Sequence, residues 1–151
     1  MKRPFGIIIL VFCLDQLTKH LVVEHFAAGG SIIPVTSFFK IVEAYNRGVS
    51  FSLFHMSSEV GFWILTSIIC LITLGVFIWL LREPHKTNRV LLALIVGGSF
   101  GNLYDRFTNG AVVDFLYFFW HTYHWPAFNI ADSAICIGTI LMAFRSFKNK
   151  K

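Results

Sequence analysis

The residues best suited to chemistry are two acids in apolar company. Asp114 stands in Val112-Val113-Asp114-Phe115, and Asp132 in Pro126-Ala127-Phe128-Asn129-Ile130-Ala131-Asp132-Ser133. An acid between Val and Phe is poorly solvated, so it holds its proton more tightly. Asn129 and Asp132 are three apart and share a helical face. Taken singly, each acid has a plainer reading: Asp114 as a solvent-facing loop residue, Asp132 as a first-turn acid that complements a helix dipole. Taken together they gain a chemical meaning. Two carboxylates in one partly desolvated site do not both ionise readily, so one keeps its proton while the other acts as a base. Such a pair activates water against an amide bond. The ionised acid takes a proton from water; the neutral one hydrogen-bonds to the scissile carbonyl and later protonates the leaving nitrogen. Neither a metal nor a covalent intermediate is required.

Further polar residues stand where they are costly. Asp15 and Lys19 are four apart, acid before base, inside an apolar run. Mutual neutralisation is the plainer role for them, and direct participation the sharper one. Residues 97–106 read Gly-Gly-Ser-Phe-Gly-Asn-Leu-Tyr-Asp-Arg. Gly98, Gly101, Asn102 and Asp105 fall on one helical face, and Arg106 lies one turn beyond Asn102. The glycines alone fit ordinary small-residue helix packing; the added Asn, Asp and Arg point to a site.

Competing chemistries have little support. His121 and His124 lie in an aromatic stretch without an HExxH helix or nearby thiols. Cys13, Cys70 and Cys136 are far apart in apolar runs and read as small hydrophobes. Ser99 in Gly97-Gly98-Ser99-Phe100-Gly101 spells GxSxG, but it sits inside an apolar span and not at a strand-to-helix turn, and the same glycines lack the following Lys of a phosphate-binding loop. No cofactor or metal is expected.

The elements that must hold the two acids are membrane helices. The 151 residues are 56% hydrophobic and 14% charged, with a mean hydropathy of +0.67. Typical soluble domains carry roughly 25% charge, so lipid is the expected solvent for much of this surface. Four apolar segments stand out at about residues 5–23, 60–81, 90–106 and 128–147. Spanning the hydrocarbon core takes ~20 residues, so the third segment is short unless it continues through Asp105 and Arg106. Residues 2–3 followed by an apolar run also resemble the start of a secretory signal, but Asp15, Lys19 and His20 on one face favour a retained helix. The basic residues set an orientation. Lys2, Arg3, Arg82, Lys86, Arg89, Arg145, Lys148, Lys150 and Lys151 make nine of thirteen on one side. The positive-inside rule places both termini in the cytoplasm and the connections at about 24–59 and 107–127 outside. Residues 31–54 read as short strands, whereas 107–127 read as an aromatic loop at the membrane–water boundary. The net charge of +5 belongs to this topology pattern and excludes nucleic acid as a partner. The expected fold is an all-α integral membrane protein, with four transmembrane helices and a small extracytoplasmic β-element in one domain spanning 1–151. An ion relay should continue to the cytoplasmic side, but the second segment and the inner halves of the third and fourth offer no ionisable residue short of the basic residues that flank the membrane. A passive scaffold gives no reason for two acids at one depth.

Five segments in order resemble the motif set of the lipoprotein signal peptidase (signal peptidase II) family. They are Asp15-Gln16-Leu17-Thr18-Lys19, Asn46-Arg47-Gly48-Val49-Ser50-Phe51-Ser52, residues 97–106, Val113-Asp114-Phe115 and Phe128-Asn129-Ile130-Ala131-Asp132. The resemblance implies a bacterial inner-membrane aspartyl peptidase that cuts diacylglyceryl-modified prolipoproteins before the lipidated cysteine. It implies a catalytic pair at Asp114 and Asp132. Asn46, Gly48, Gly98, Asn102, Asp105, Arg106 and Asn129 become substrate-binding or supporting residues, and Asp15 and Lys19 structural ones. The motifs need one chain, so a monomer in membrane lipid is expected. Val49-Ser50 departs from the small pair, often Ala-Ala, of many members.

Overall fold

The computed structural model describes residues 2–48 and 59–148, so Val49, Ser50, Phe51 and Ser52 of the second motif lie outside the described residues. The elements follow in the order α1 (Lys2–Ala27), β1 (Ile33–Pro34), β2 (Phe39–Asn46), α2 (Glu59–Arg82), α3 (Lys86–Asn109), β3 (Val112–Trp120), β4 (Tyr123–His124) and α4 (Ile130–Lys148).

α3 is the central helix and packs against α1, α2 and α4. Leu92, Ala93 and Val96 on it are completely buried. Its glycines set the spacing. A Cβ at Gly98 would collide with the Ala131 carbonyl oxygen of α4, and one at Gly101 with the Asp15 carboxylate of α1. Close helix approach of this kind is what small residues permit. Gly98→Ala is therefore expected to destabilise the bundle by ~1–3 kcal/mol. It should also lower activity, because the clash pushes on the turn that carries Asp132. A melting temperature in detergent equal to wild type would contradict this packing.

The outer surface is apolar. α2 buries Phe62, Thr66, Thr73 and Leu80 and turns Val60, Ile64, Leu71 and Ile72 outward. α1 exposes Ile9, Leu10, Leu17 and Leu21, and α4 exposes Ile137, Ile140, Phe144 and Phe147. Among the described residues, three helices are long and apolar enough to cross a membrane: Arg3–Ala27, Glu59–Arg82 and Ile130–Lys148. The sequence led to an expectation of four. α3 falls short by composition because Lys86, Asn88 and Arg89 open it, and Asn102, Asp105, Arg106 and Asn109 close it. A helix enclosed by three others need not be apolar all round.

The strands form one antiparallel sheet in the order β1-β2-β3-β4 at the end of the bundle where α1 and α3 finish and α2 and α4 begin. Arg3, Arg82, Lys86, Arg89, Arg145 and Lys148 lie toward the opposite end. The strand expectation for residues 31–54 is met by β1 and β2 over residues 31–48, with 49–54 lying outside the described residues, but residues 107–127 are not simply a loop: they contain β3, the partner of β2. Its run Val112-Val113-Asp114-Phe115 is buried on both faces, so the sequence lacks the alternation that marks a strand. β2 pairs Phe39, Lys40 and Ile41 with Phe118, Tyr117 and Leu116. Beyond an irregularity it pairs Ala44, Tyr45 and Asn46 with Asp114, Val113 and Val112. Val42 and Glu43 thus oppose Phe115 alone. A bulge of this kind re-aims the neighbouring side chains, here beside Asp114.

Candidate active site

The site forms where α1, the end of β2, the last turns of α3, the start of β3 and the start of α4 meet. Asp114, third residue of β3, is 3% exposed. Its Oδ1 accepts from Asn129 Nδ2 at 2.7 Å and its Oδ2 from Asn46 Nδ2 at 3.1 Å. Burial, and then the negative charge of Asp132, push its pKa up to about 7. The bonds from Asn46 and Asn129 and the charge of Lys19 oppose that rise.

Asp132, third residue of α4, is half-buried, and its Oδ1 accepts from Asn102 Nδ2 at 2.8 Å. Asn129 precedes α4 and caps it, its Oδ1 accepting the Asp132 backbone N–H at 2.8 Å. The same side chain donates to Asp114, so one fully buried amide ties the two acids together. Phe128, just before it, is still paired with Leu116 of β3, so the helix starts two residues later than residue 128. Sheet and helix therefore meet at Asn129.

The remaining candidates line up behind this pair. Asn46 Oδ1 accepts the Gly48 N–H at 2.9 Å, leaving its amide nitrogen to face Asp114. Arg106 is buried, donates from Nη2 to the Gly48 carbonyl, and lies with its guanidinium carbon 5.6 Å from the centre of the Phe62 ring. Arg47 stacks on the same ring at 5.2 Å and pairs with Glu59. Arg106 Nη1 is buried without a partner among the described residues. Gly98 lies beneath Ala131, making room for the first turn of α4.

Asp15, Lys19 and Asp105 form a separate buried layer. Lys19 Nζ is 2.7 Å from Asp15 Oδ2 and 2.9 Å from Asp105 Oδ2. Asp15 Oδ1 accepts the Ala131 N–H at 2.9 Å, helping to cap α4 from α1. Asp105 Oδ2 accepts the Val113 N–H at 3.1 Å and so anchors the strand beside Asp114. Asp105 thus supports the site from behind. Gln16 is a participant the sequence reading did not single out: it donates to Asp105 Oδ1 at 3.0 Å and to the Gly101 carbonyl at 3.2 Å. The signal available was an amide inside an apolar helix, three residues before Lys19 on the same face.

A cleft of ≈ 420 Å³, lined in part by Asn46, Asp114, Tyr117 and Pro126, opens onto Asp114. A larger aromatic groove of ≈ 520 Å³, between Phe38, Phe118, Trp120, Tyr123 and Trp125, touches neither acid. His124 is occupied by the Tyr117 hydroxyl at 2.9 Å from its Nδ1, and His121 turns the β3–β4 hairpin with φ 51°.

The chain matches the family model of signal peptidase (SPase) II over residues 7–148. It is 40% identical to the lipoprotein signal peptidase of Vibrio cholerae serotype O1 (strain M66-2), covering 99% of this chain and 89% of that one. It is 38% identical to the lipoprotein signal peptidase of Pseudoalteromonas atlantica, covering 98% and 91%. Two solved structures share the fold. One, a bacterial membrane enzyme at 2.3 Å resolution, superposes with a TM-score of 0.80 at 25% identity over 100% of this chain and 91% of that one. The other, a bacterial membrane enzyme at 1.9 Å, gives 0.79 at 27% identity over 98% and 94%. On the match to the family model and these full-length relatives, the chain belongs to the signal peptidase II family.

Proposed function

We propose that this protein is an aspartyl endopeptidase that removes the signal peptide from diacylglyceryl-modified bacterial prolipoproteins, cutting before the lipidated cysteine, with Asp114 and Asp132 as its catalytic pair. The observation that carries this reading is Asn129. Its amide donates to the Asp114 carboxylate while its oxygen holds the Asp132 backbone, so the two acids form one hydrogen-bonded unit. Asp114, the more deeply buried acid, carries the shared proton and hydrogen-bonds to the scissile carbonyl oxygen. Asp132, held by Asn102, is the ionised base that takes a proton from the attacking water. Water oxygen bonds to the carbonyl carbon, the C–N bond breaks, and the leaving nitrogen receives a proton from the pair. Asn46 and Arg106 steady the β2 end of the cleft.

In this reading all four helices span the membrane in a single domain. α3 has 24 residues, roughly 36 Å at 1.5 Å per residue, enough to cross a core of about 30 Å inside its three apolar neighbours. The basic end of the bundle faces the cytoplasm, both terminal helices end there, and the acids lie at the outer face. The protein acts as a monomer in the bacterial cytoplasmic (inner) membrane. Expression in cells depleted of their own signal peptidase II tests the assignment: accumulated diacylglyceryl prolipoprotein should be converted to the mature form. Persistent precursor at normal expression would overturn it.

A pH dependence follows from the site. With the Asp114 pKa pushed up to about 7, raising the pH through that value removes the shared proton and leaves no acid. Lowering the pH protonates the base. kcat/KM is expected to be bell-shaped, with its alkaline limb near 7. A profile that stays flat between about pH 6 and 9 would contradict a proton-sharing pair.

A further inference from the structure

Three asparagine amides face the two acids, and each must present its nitrogen rather than its oxygen. Asn46 is oriented by the Gly48 backbone N–H, and Asn129 by the Asp132 backbone N–H. Asn102 is oriented by a side chain. Lys19 is 3% exposed, and its Nζ lies 3.0 Å from Asn102 Oδ1. An ammonium carries three donors and no acceptor. Here the three go to Asp15 Oδ2 at 2.7 Å, Asp105 Oδ2 at 2.9 Å and Asn102 Oδ1 at 3.0 Å. Charge neutralisation accounts for the two carboxylates and leaves the third bond, to a neutral carbonyl oxygen, without a role.

Resting on the assignment of Asp114 and Asp132 above, we propose that Lys19 is a positioning residue for the reaction: by holding Asn102 Oδ1 it forces Asn102 Nδ2 onto Asp132. Because Lys19 cannot accept a hydrogen bond, the atom facing it is the amide oxygen. The amide nitrogen then points the other way, to Asp132 Oδ1 at 2.8 Å. The other donor to Asn102 Oδ1 is Asn129 Nδ2 at 3.1 Å, whose hydrogens are shared with Asp114 Oδ1 and the Val113 carbonyl. Without Lys19 only this shared contact remains, and the amide is free to turn. Asp132 then loses the Asn102 donor, which helps to fix its carboxylate against the water it must activate. α1, which supplies no group to the reaction, thereby sets the geometry of a residue on α4 through α3.

The test separates positioning from neutralisation. Lys19→Met alone leaves two buried acids without a cation and is expected to lower the melting temperature. Asp15→Asn combined with Lys19→Met restores the charge balance, and the Asn oxygen still accepts the Ala131 N–H. That double variant is expected to melt near wild type yet show kcat reduced about 10²-fold, with KM within about 2-fold. Lys19→Arg keeps the charge and the fold while displacing the donor, and should lose about 10-fold in kcat. In an Asn102→Ala background, neither Lys19→Arg nor the double variant should reduce kcat further, because both act through Asn102. Wild-type kcat in the double variant or in Lys19→Arg, or losses that multiply with Asn102→Ala, would overturn the role of Lys19. Failure of the wild-type protein to cleave a prolipoprotein would instead overturn the peptidase assignment itself.

Discussion

Replacing either acid by its amide, Asp114→Asn or Asp132→Asn, should reduce cleavage of a diacylglyceryl prolipoprotein by roughly 10²–10⁴-fold. The amide is nearly isosteric but neither carries the shared proton nor accepts one from water. The loss should fall on kcat, since the amide keeps the size and shape of the side chain it replaces and leaves the rest of the cleft unchanged. Stability separates this from a folding defect. The ordinary Asp pKa is 3.8, and that of Asp114 in the fold is about 7. Between those values the unfolded chain is ionised while the native Asp114 keeps its proton. Raising the pH through that window therefore weakens the native state, and the cost is complete above about 7. Its size is on the order of a few kcal/mol. Asn cannot ionise, so at about pH 8 Asp114→Asn protein should melt at or above the wild-type temperature. Full activity in either variant would remove that residue from the mechanism.

The second large effect concerns the substrate's lipid. In the proposed function, a peptide bond must reach the acids while its acyl chains stay in an apolar setting, a demand that the exposed Ile, Leu and Phe side chains of α1, α2 and α4 are suited to meet. Each methylene kept from water is worth ~0.8 kcal/mol. Four of them amount to about 3 kcal/mol, or roughly 10²-fold in kcat/KM. Removing the diacylglyceryl group from an otherwise identical substrate should therefore lower kcat/KM by at least roughly 10²-fold. Competition between lipidated and unlipidated prolipoprotein in one detergent measures the ratio. Equal turnover would remove lipid recognition from the account.

Much of this site was legible in the residues themselves. Asp114, Asp132, Asn102 and Asn129 stood out as polar groups among apolar ones, and the fold brings them within hydrogen-bond reach of one another. Helical spacing placed Asp15 one turn from Lys19, and the two form an ion pair. What spacing could not supply was direction across the bundle. That Asp15 reaches the Ala131 N–H, or Gln16 reaches Asp105, depends on α1 lying parallel to α3 at a distance set by Gly101. β3 was missed because a strand buried on both faces carries no alternating pattern. The bulge opposite Phe115 was hidden for a different reason: it is a property of two strands paired, not of either alone. The span expectation for α3 rested on its apolar middle. Its polar ends mark it as the helix the others enclose.

The most direct test of the central claim uses the purified wild-type chain in detergent micelles with a chelator and one diacylglyceryl-modified prolipoprotein, the product identified by mass. Undiminished cleavage is expected, leaving the diacylglyceryl cysteine as the new first residue. No cleavage, cleavage at another bond, or cleavage abolished by the chelator would contradict a metal-independent aspartyl signal peptidase.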